Sequence, residues 1–157
     1  MGKIVLDKID KKILMFLLNN ARMPFLEIAR ECGISGAAIH QRVKKLDDAG
    51  VILGSRLDVD PRIVGFDVCA FVGVRLSEPT LYTATVEALK QIHEVVECHF
   101  ITGDYNLLIK LYCTDNDHLM RTMFDKLLVI PGITSTETFI SLEQPFTRQV
   151  DISHITF

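Results

Sequence analysis

The chain has 157 residues, 48% of them apolar, and a net charge of −3, which leaves room for one mid-sized domain or two small ones around a packed core. No apolar run nears the roughly 18 residues of a membrane span, and the charged opening MGKIVLDKIDKK lacks the apolar stretch of a signal peptide; a cytoplasmic protein with no membrane contact is expected. The acidic total argues against indiscriminate nucleic-acid binding, yet the first 60 residues carry ten Lys and Arg against eight Asp and Glu, and the rest seven against twelve.

From Leu6 to Leu18, the residues Ile9, Ile13, Phe16 and Leu17 recur at helical spacing while Asp7, Lys8, Lys11 and Lys12 turn outward. Asp7 or Asp10 serves the positive N-terminal end, and Asn19-Asn20 marks the stop. Pro24 opens a short helix, Phe25–Cys32, that buries Phe25 or Leu26 with Ile28 and Ala29. Gly33 supplies a tight turn, and Ser35 caps a third helix from about Gly36 to Ala49. Ile39, Val43 and Leu46 form its buried stripe, and Gly50 ends it. Two short strands around Gly54 are expected over Val51–Val59.

Asp60-Pro61 and Gly65 mark a connection, after which the pattern changes. Val68–Leu76 reads as an apolar strand and Pro79–His93 as a helix. Val95–Thr102 and Leu107–Cys113 read as strands bracketing the turn Gly103-Asp104-Tyr105-Asn106. Asp115 or Asp117 caps a further helix with Leu119, Met123, Leu127 and Leu128 inward. Pro131-Gly132 breaks it before a last strand, Ile133–Leu142. The β-α-β-β-α-β order predicts a ferredoxin-like antiparallel sheet with two helices on one face. Something must cover the other face, and a second copy of the chain is the expected cover. The fold class is therefore α+β, with domains at 1–60 and 67–157 joined by a linker at 61–66. Of the tail, Ile152, Ile155 and Phe157 are expected to pack back on the fold.

Helix, glycine turn and capped helix together form a helix-turn-helix pattern. Its second helix is held by the apolar stripe while the opposite face enters the major groove of double-stranded DNA. Ser35, Gly36, Ala37, His40 and Gln41 lie at or near that face; Gln41 suits adenine edges and Ala37 a thymine methyl. Arg42, Lys44 and Lys45, with Arg56 on the wing, are expected to neutralise phosphates.

Taken in order, these segments resemble the leucine-responsive regulatory protein/AsnC (Lrp/AsnC) family of transcription regulators. The resemblance rests on Leu6-Asp7-x-x-Asp10-x-x-Ile13-Leu14, on Ile28-Ala29-Arg30-x-x-Gly33-Ile34-Ser35, and on Arg42-Val43-x-x-Leu46-x-x-x-Gly50-Val51-Ile52. It continues through Val95-Val96-Glu97-Cys98-His99, Thr102-Gly103-Asp104-Tyr105 and Pro131-Gly132-Ile133. It implies a winged helix-turn-helix followed by a ferredoxin-like, RAM-type effector domain, homodimers that assemble into octamers, and an amino acid or related metabolite bound between subunits. No other cofactor and no metal is expected. Carried over position by position, the resemblance places the effector at Thr102, Gly103, Asp104, Tyr105 and Asn106, with Asp115, Thr134 and Thr136 nearby. Backbone N–H groups of a glycine turn suit a carboxylate, and an Asp suits an ammonium group. Two positions depart from the family pattern: Asn106 stands where an Asp is usual, and Pro24 where a Ser-like cap is usual.

Two rivals are weighed against this reading. Catalysis is disfavoured, because the five histidines (40, 93, 99, 118, 154) form no HExxH and no nucleophilic triad order, and no phosphate loop is present. Cys98 and His99 would point to opposite faces of a strand, which argues against a zinc site; all four cysteines are expected as small buried residues. The other rival is a ligand-independent architectural or protein-interaction protein.

Overall fold

The structure is a computed structural model and describes residues 5–153. It divides into two compact units. One is helical and takes in the chain up to Leu57 together with the segment from Phe146; the other spans Asp58–Pro145. Ile155 and Phe157 lie outside the described residues.

The helical unit contains α1 (Lys8–Asn19), α2 (Phe25–Cys32) and α3 (Gly36–Asp48). Asp7 caps α1: its carboxylate accepts the N–H groups of Ile9 and Asp10, while Asp10 reaches back to the N–H of Asp7, a reciprocal capping box. Ile13, Ile28, Ala29 and Ile39 form the core, ringed by Phe16, Leu17, Phe25 and Val43. Phe25 rather than Leu26 turns inward, and Leu26 is 68% exposed. Gly33 closes α2 with φ +68°, in the left-handed region where a side chain would be strained. Ser35 caps α3 through the N–H of Ala38.

The strands expected over Val51–Val59 are not formed; the segment has no regular structure. Leu53 and Leu57 are exposed there, and a two-stranded ribbon with no apolar surface beneath it is marginal.

The second unit holds β1 (Val68–Leu76), α4 (Tyr82–Leu89), β2 (Val95–Phe100), β3 (Leu107–Cys113), α5 (Asn116–Arg121) and β4 (Ile133–Ile140). The strands form one antiparallel sheet in the order β2-β3-β1-β4, as the β-α-β-β-α-β reading requires. Alternation sends Val68, Ala70, Val72 and Val74 of β1, with Leu107, Ile109, Leu111 and Cys113 of β3, into a core with Leu89, Ile92, Leu119, Met123 and Leu127.

The helices are shorter than the periodicity predicts. α4 is preceded by a 3-10 turn at Pro79–Leu81 and ends before Ile92 and His93, which fall in the connection to β2. α5 passes into a π-helical segment, Thr122–Leu127. The wider turn keeps Met123 and Leu127 inward but leaves Leu128 38% exposed, contrary to expectation. The outer strands also stop early, β2 at Phe100 and β4 at Ile140. Of the four cysteines, Cys113 is buried, Cys32 and Cys69 are half-buried, and Cys98 is exposed. Cys98 lies on the edge strand β2, which pairs with β3 alone.

Candidate functional site

Two surfaces carry the residues singled out by the sequence. The first is α3. Its inner stripe is fixed by Ile39 and Leu46, both fully buried, with Val43 half-buried between them. Ser35, Ala37, His40, Gln41, Lys44 and Lys45 are exposed around the rest of the helix; Gly36 is half-buried against Leu26. The His40 ring meets Phe25 edge-on at 4.6 Å, so it also helps seat α3 on α2. Arg56 is exposed in the irregular segment that follows.

Arg42 differs from its neighbours. Its Nη1 donates at 2.6 Å to both Asp7 and Asp10, the two members of the α1 capping box. Asp10 is almost fully buried, so the guanidinium compensates a carboxylate that would otherwise be costly to bury. Hydrogen bonds from the Asp10 N–H and from Arg42 hold the Asp7 carboxyl below its usual range, and the Asp7 and Asp10 carboxylates hold Arg42 above its own. Arg42 thus braces α3 to the start of α1.

The second surface is the turn between β2 and β3. Ile101 N–H donates to the Asn106 carbonyl at 3.1 Å, closing the turn, and Asn106 N–H donates to the Val74 carbonyl at 2.9 Å. The Asn106 side-chain oxygen accepts Leu76 N–H at 2.8 Å. Asn106 therefore clamps the turn to β1. Tyr105 lies over Gly73 of β1, where a Cβ would come within 2.7 Å of the ring; the strand glycine exists to admit it. Thr102, Gly103 and Asp104 are exposed at the tip.

Arg75, which the sequence reading passed over, completes this cluster. Its Nε donates to the Asp104 carbonyl at 2.8 Å, and its guanidinium sits 4.9 Å from the Tyr105 ring centroid. A lone charge at the end of an apolar strand, two residues after a buried glycine, was the available signal. Thr134 joins from the other side. It falls at an irregularity between β1 and β4, and its hydroxyl donates to the Arg75 carbonyl at 3.2 Å.

Two expected members stand apart within one chain. Thr136 pairs with Val74 and so shares the helix-covered face of the sheet, opposite the face that carries Tyr105. Asp115 lies beyond the far end of β3, where it caps α5 through the N–H of His118. That N–H and the Thr114 hydroxyl hold the Asp115 carboxyl below its usual range. His99, expected on a strand, lies on β2 and is exposed, with its Nε2 3.5 Å from Glu97 Oε2.

Comparison with known proteins agrees with both halves. Residues 6–47 match the model for the AsnC-type helix-turn-helix domain, and residues 69–151 that for the Lrp/AsnC ligand binding domain. The chain is 37% identical to regulatory protein AsnC of Escherichia coli over 150 residues, covering 96% of this chain and 99% of that one. It is 33% identical to the helix-turn-helix transcriptional regulator FL11 of Pyrococcus horikoshii, covering 90% and 92%. The solved structure of the E. coli AsnC protein superposes with a TM-score of 0.88 over 94% of this chain and 99% of that one. A Neisseria meningitidis transcriptional regulator, solved as a complex with L-Met, shares the fold with a TM-score of 0.88 at 24% identity, covering 96% and 99%.

Proposed function

The chain belongs to the Lrp/AsnC family of transcriptional regulators, and on that footing we propose that it reads operator DNA with α3 and answers to an amino acid held at the Gly103–Asn106 turn. The observation that carries this reading is the exposed polar and basic surface of α3 set against the buried Ile39 and Leu46. Gln41 and Ala37 face base edges; Ser35, Gly36 and His40 lie at the groove; Lys44, Lys45 and Arg56 meet phosphates. Arg42, engaged by two carboxylates, sets the angle of the reading helix instead.

For the effector, the Gly103 and Asp104 backbone and the Arg75 guanidinium suit a carboxylate, and Asp104 suits an ammonium group. The L-Met bound to the Neisseria regulator supports an amino acid as the class. Residues 1–60 serve as the DNA-binding part, 61–66 as linker and 67–157 as the effector and dimerisation part. Subunits pair through the sheet, and dimers assemble to octamers in the cytoplasm. Asp115 and Thr136 enter the effector site only from a neighbouring subunit.

The test is calorimetric titration of the protein with the common amino acids, with light scattering to follow assembly and DNA affinity measured alongside. Tight binding of one or two, lost in Asp104→Ala and accompanied by a change in DNA affinity, is expected. Binding of none would sink the sensing role and leave a ligand-independent DNA-binding protein.

A further inference from the structure

Three elements fix the position of Arg75. Asn106 brackets it, donating its N–H to the Val74 carbonyl at 2.9 Å and accepting the Leu76 N–H through its side-chain oxygen at 2.8 Å. Thr134 of β4 donates its hydroxyl to the Arg75 carbonyl at 3.2 Å. The guanidinium lies 4.9 Å from the Tyr105 ring centroid, and its Nε donates to the Asp104 carbonyl at 2.8 Å. Backbone, stem and Nε are thus committed. The two prongs of the fork, Nη1 and Nη2, have no hydrogen-bond or ion-pair partner among the described residues. Arg75 is exposed, next to last in β1 and two residues past the Gly73 that Tyr105 covers, so it stands at the margin of the sheet. A brace for the turn would need only Nε. A fork ordered in advance loses little freedom when a ligand arrives.

The turn adds a second set of donors. The N–H groups of Thr102, Gly103, Asp104 and Tyr105 have no acceptor among the described residues. Gly103, at φ +111°, bends this run, and successive N–H groups about such a bend form a concavity that suits an anion. Together with the prongs of Arg75, these donors exceed the roughly four acceptor positions of one carboxylate. The turn's single negative side chain, Asp104, makes no ion pair with Arg75 or with any other described residue.

Resting on the reading of this turn as the effector site, we propose that Arg75 sets its specificity and that the effector is an amino acid with an acidic side chain. One carboxylate lies on the backbone N–H groups of the turn, the ammonium group meets Asp104, and the second carboxylate is held by both prongs of Arg75. Apolar amino acids have nothing to offer the fork. Glutamine and asparagine match the acids in shape, but an amide presents one oxygen to the fork and sets its own donors against the other prong.

The test is calorimetric titration of the full-length protein with L-glutamate, L-aspartate, L-glutamine and L-asparagine, with L-methionine as the apolar control. One of the two acids should bind about tenfold or more tightly than its own amide and than methionine. Arg75→Met keeps an apolar stem over Tyr105 and removes the fork. It should weaken binding of the acid by about tenfold or more and bring acid and amide within about twofold of each other. A merely structural loss would lower both affinities and leave their ratio as it was. Arg75→Lys, which keeps the charge without the fork, should restore part of the preference. Circular dichroism and melting temperature of both variants should stay close to the parent's, because the side chain is exposed. Equal affinity for acid and amide, tighter binding of methionine, or an acid-to-amide ratio unchanged in Arg75→Met would overturn the proposal while leaving the turn as an effector site. Binding of no amino acid would overturn the effector reading and the proposal together.

Discussion

Asn106 uses its side-chain oxygen to hold the backbone of Leu76, a task a carboxylate oxygen performs equally well. Asn106→Asp should therefore preserve the turn and add one negative charge beside Asp104. If the effector's ammonium group is held here, its affinity should rise about 3- to 10-fold, by the gain expected of a charge-assisted contact. Calorimetry on the variant checks this, and an unchanged or weaker affinity would place the ammonium elsewhere. Gly73→Ala is the complementary change, since its Cβ would strike the Tyr105 ring and displace the turn. A second residue-scale prediction concerns acid. Glu94 has its folded carboxyl lowered from 4.5 to about 2, so the stability it contributes is complete above pH 4.5 and is lost as the pH falls through 2. With Lys126 46% exposed, screening limits the contribution to about 1–2 kcal/mol. Melting curves should show a steeper loss of the second unit's stability between pH 4.5 and 2 in the parent than in Glu94→Gln.

At the scale of elements, Arg42 and the Lys44-Lys45 pair lie on one helix and should respond oppositely to substitution. Arg42→Ala removes the brace to Asp7 and leaves the buried Asp10 without its cation. It should destabilise the helical unit by about 2–4 kcal/mol, below the roughly 3–5 kcal/mol of breaking a fully buried pair because Arg42 is itself 29% exposed. Denaturant melts would register that loss. Lys44→Ala with Lys45→Ala touches only exposed groups, so it should leave the melt nearly unchanged. It should instead reduce the slope of log affinity against log salt by up to about 2, from two lost phosphate contacts. The helices and strands themselves were largely legible, because capping residues and a period of 3.6 or 2 are local signals. Ser35, Gly33 and the alternation in Val68–Leu76 each announce their element. What could not be read are long-range partners: the pairing of Arg42 with Asp7 and Asp10 spans more than thirty residues and depends on how three helices meet. The same holds for Arg75 and Gly73 against the turn. The strands over Val51–Val59 and the inward Leu128 were misread for a related reason. Their patterns are locally sound, but no apolar surface supports the first, and a π-helical turn shifts the phase of the second.

At the scale of the molecule, the sheet poses the remaining question, because its two helices occupy one face only. The other face carries Phe71 of β1, Leu108, Lys110 and Tyr112 of β3, and Phe139 of β4, with Phe71 and Phe139 paired across the strands. Lys110 Nζ rests 5.8 Å from the Phe71 centroid and 5.3 Å from that of Tyr112, so its stem covers part of this apolar centre. Phe139 is 47% exposed, and no helix of this unit lies over it. A self-complementary apolar face suits a two-fold pairing of copies, in which each residue meets its own symmetry mate or the mate of a neighbour. That pairing would bring two α3 helices into one assembly, and for paired reading helices operator half-sites should repeat at about 34 Å or a multiple of it. Phe139→Glu places a charge on the face without disturbing the core on the other side. It should convert the protein to monomers in sedimentation velocity, with little change in its circular dichroism. Affinity for a two-half-site operator should fall at least tenfold toward that for a single half-site, because the second contact is no longer tethered. A dimer that survives this change would mean that the copies meet through another surface and that the spacing argument fails with it.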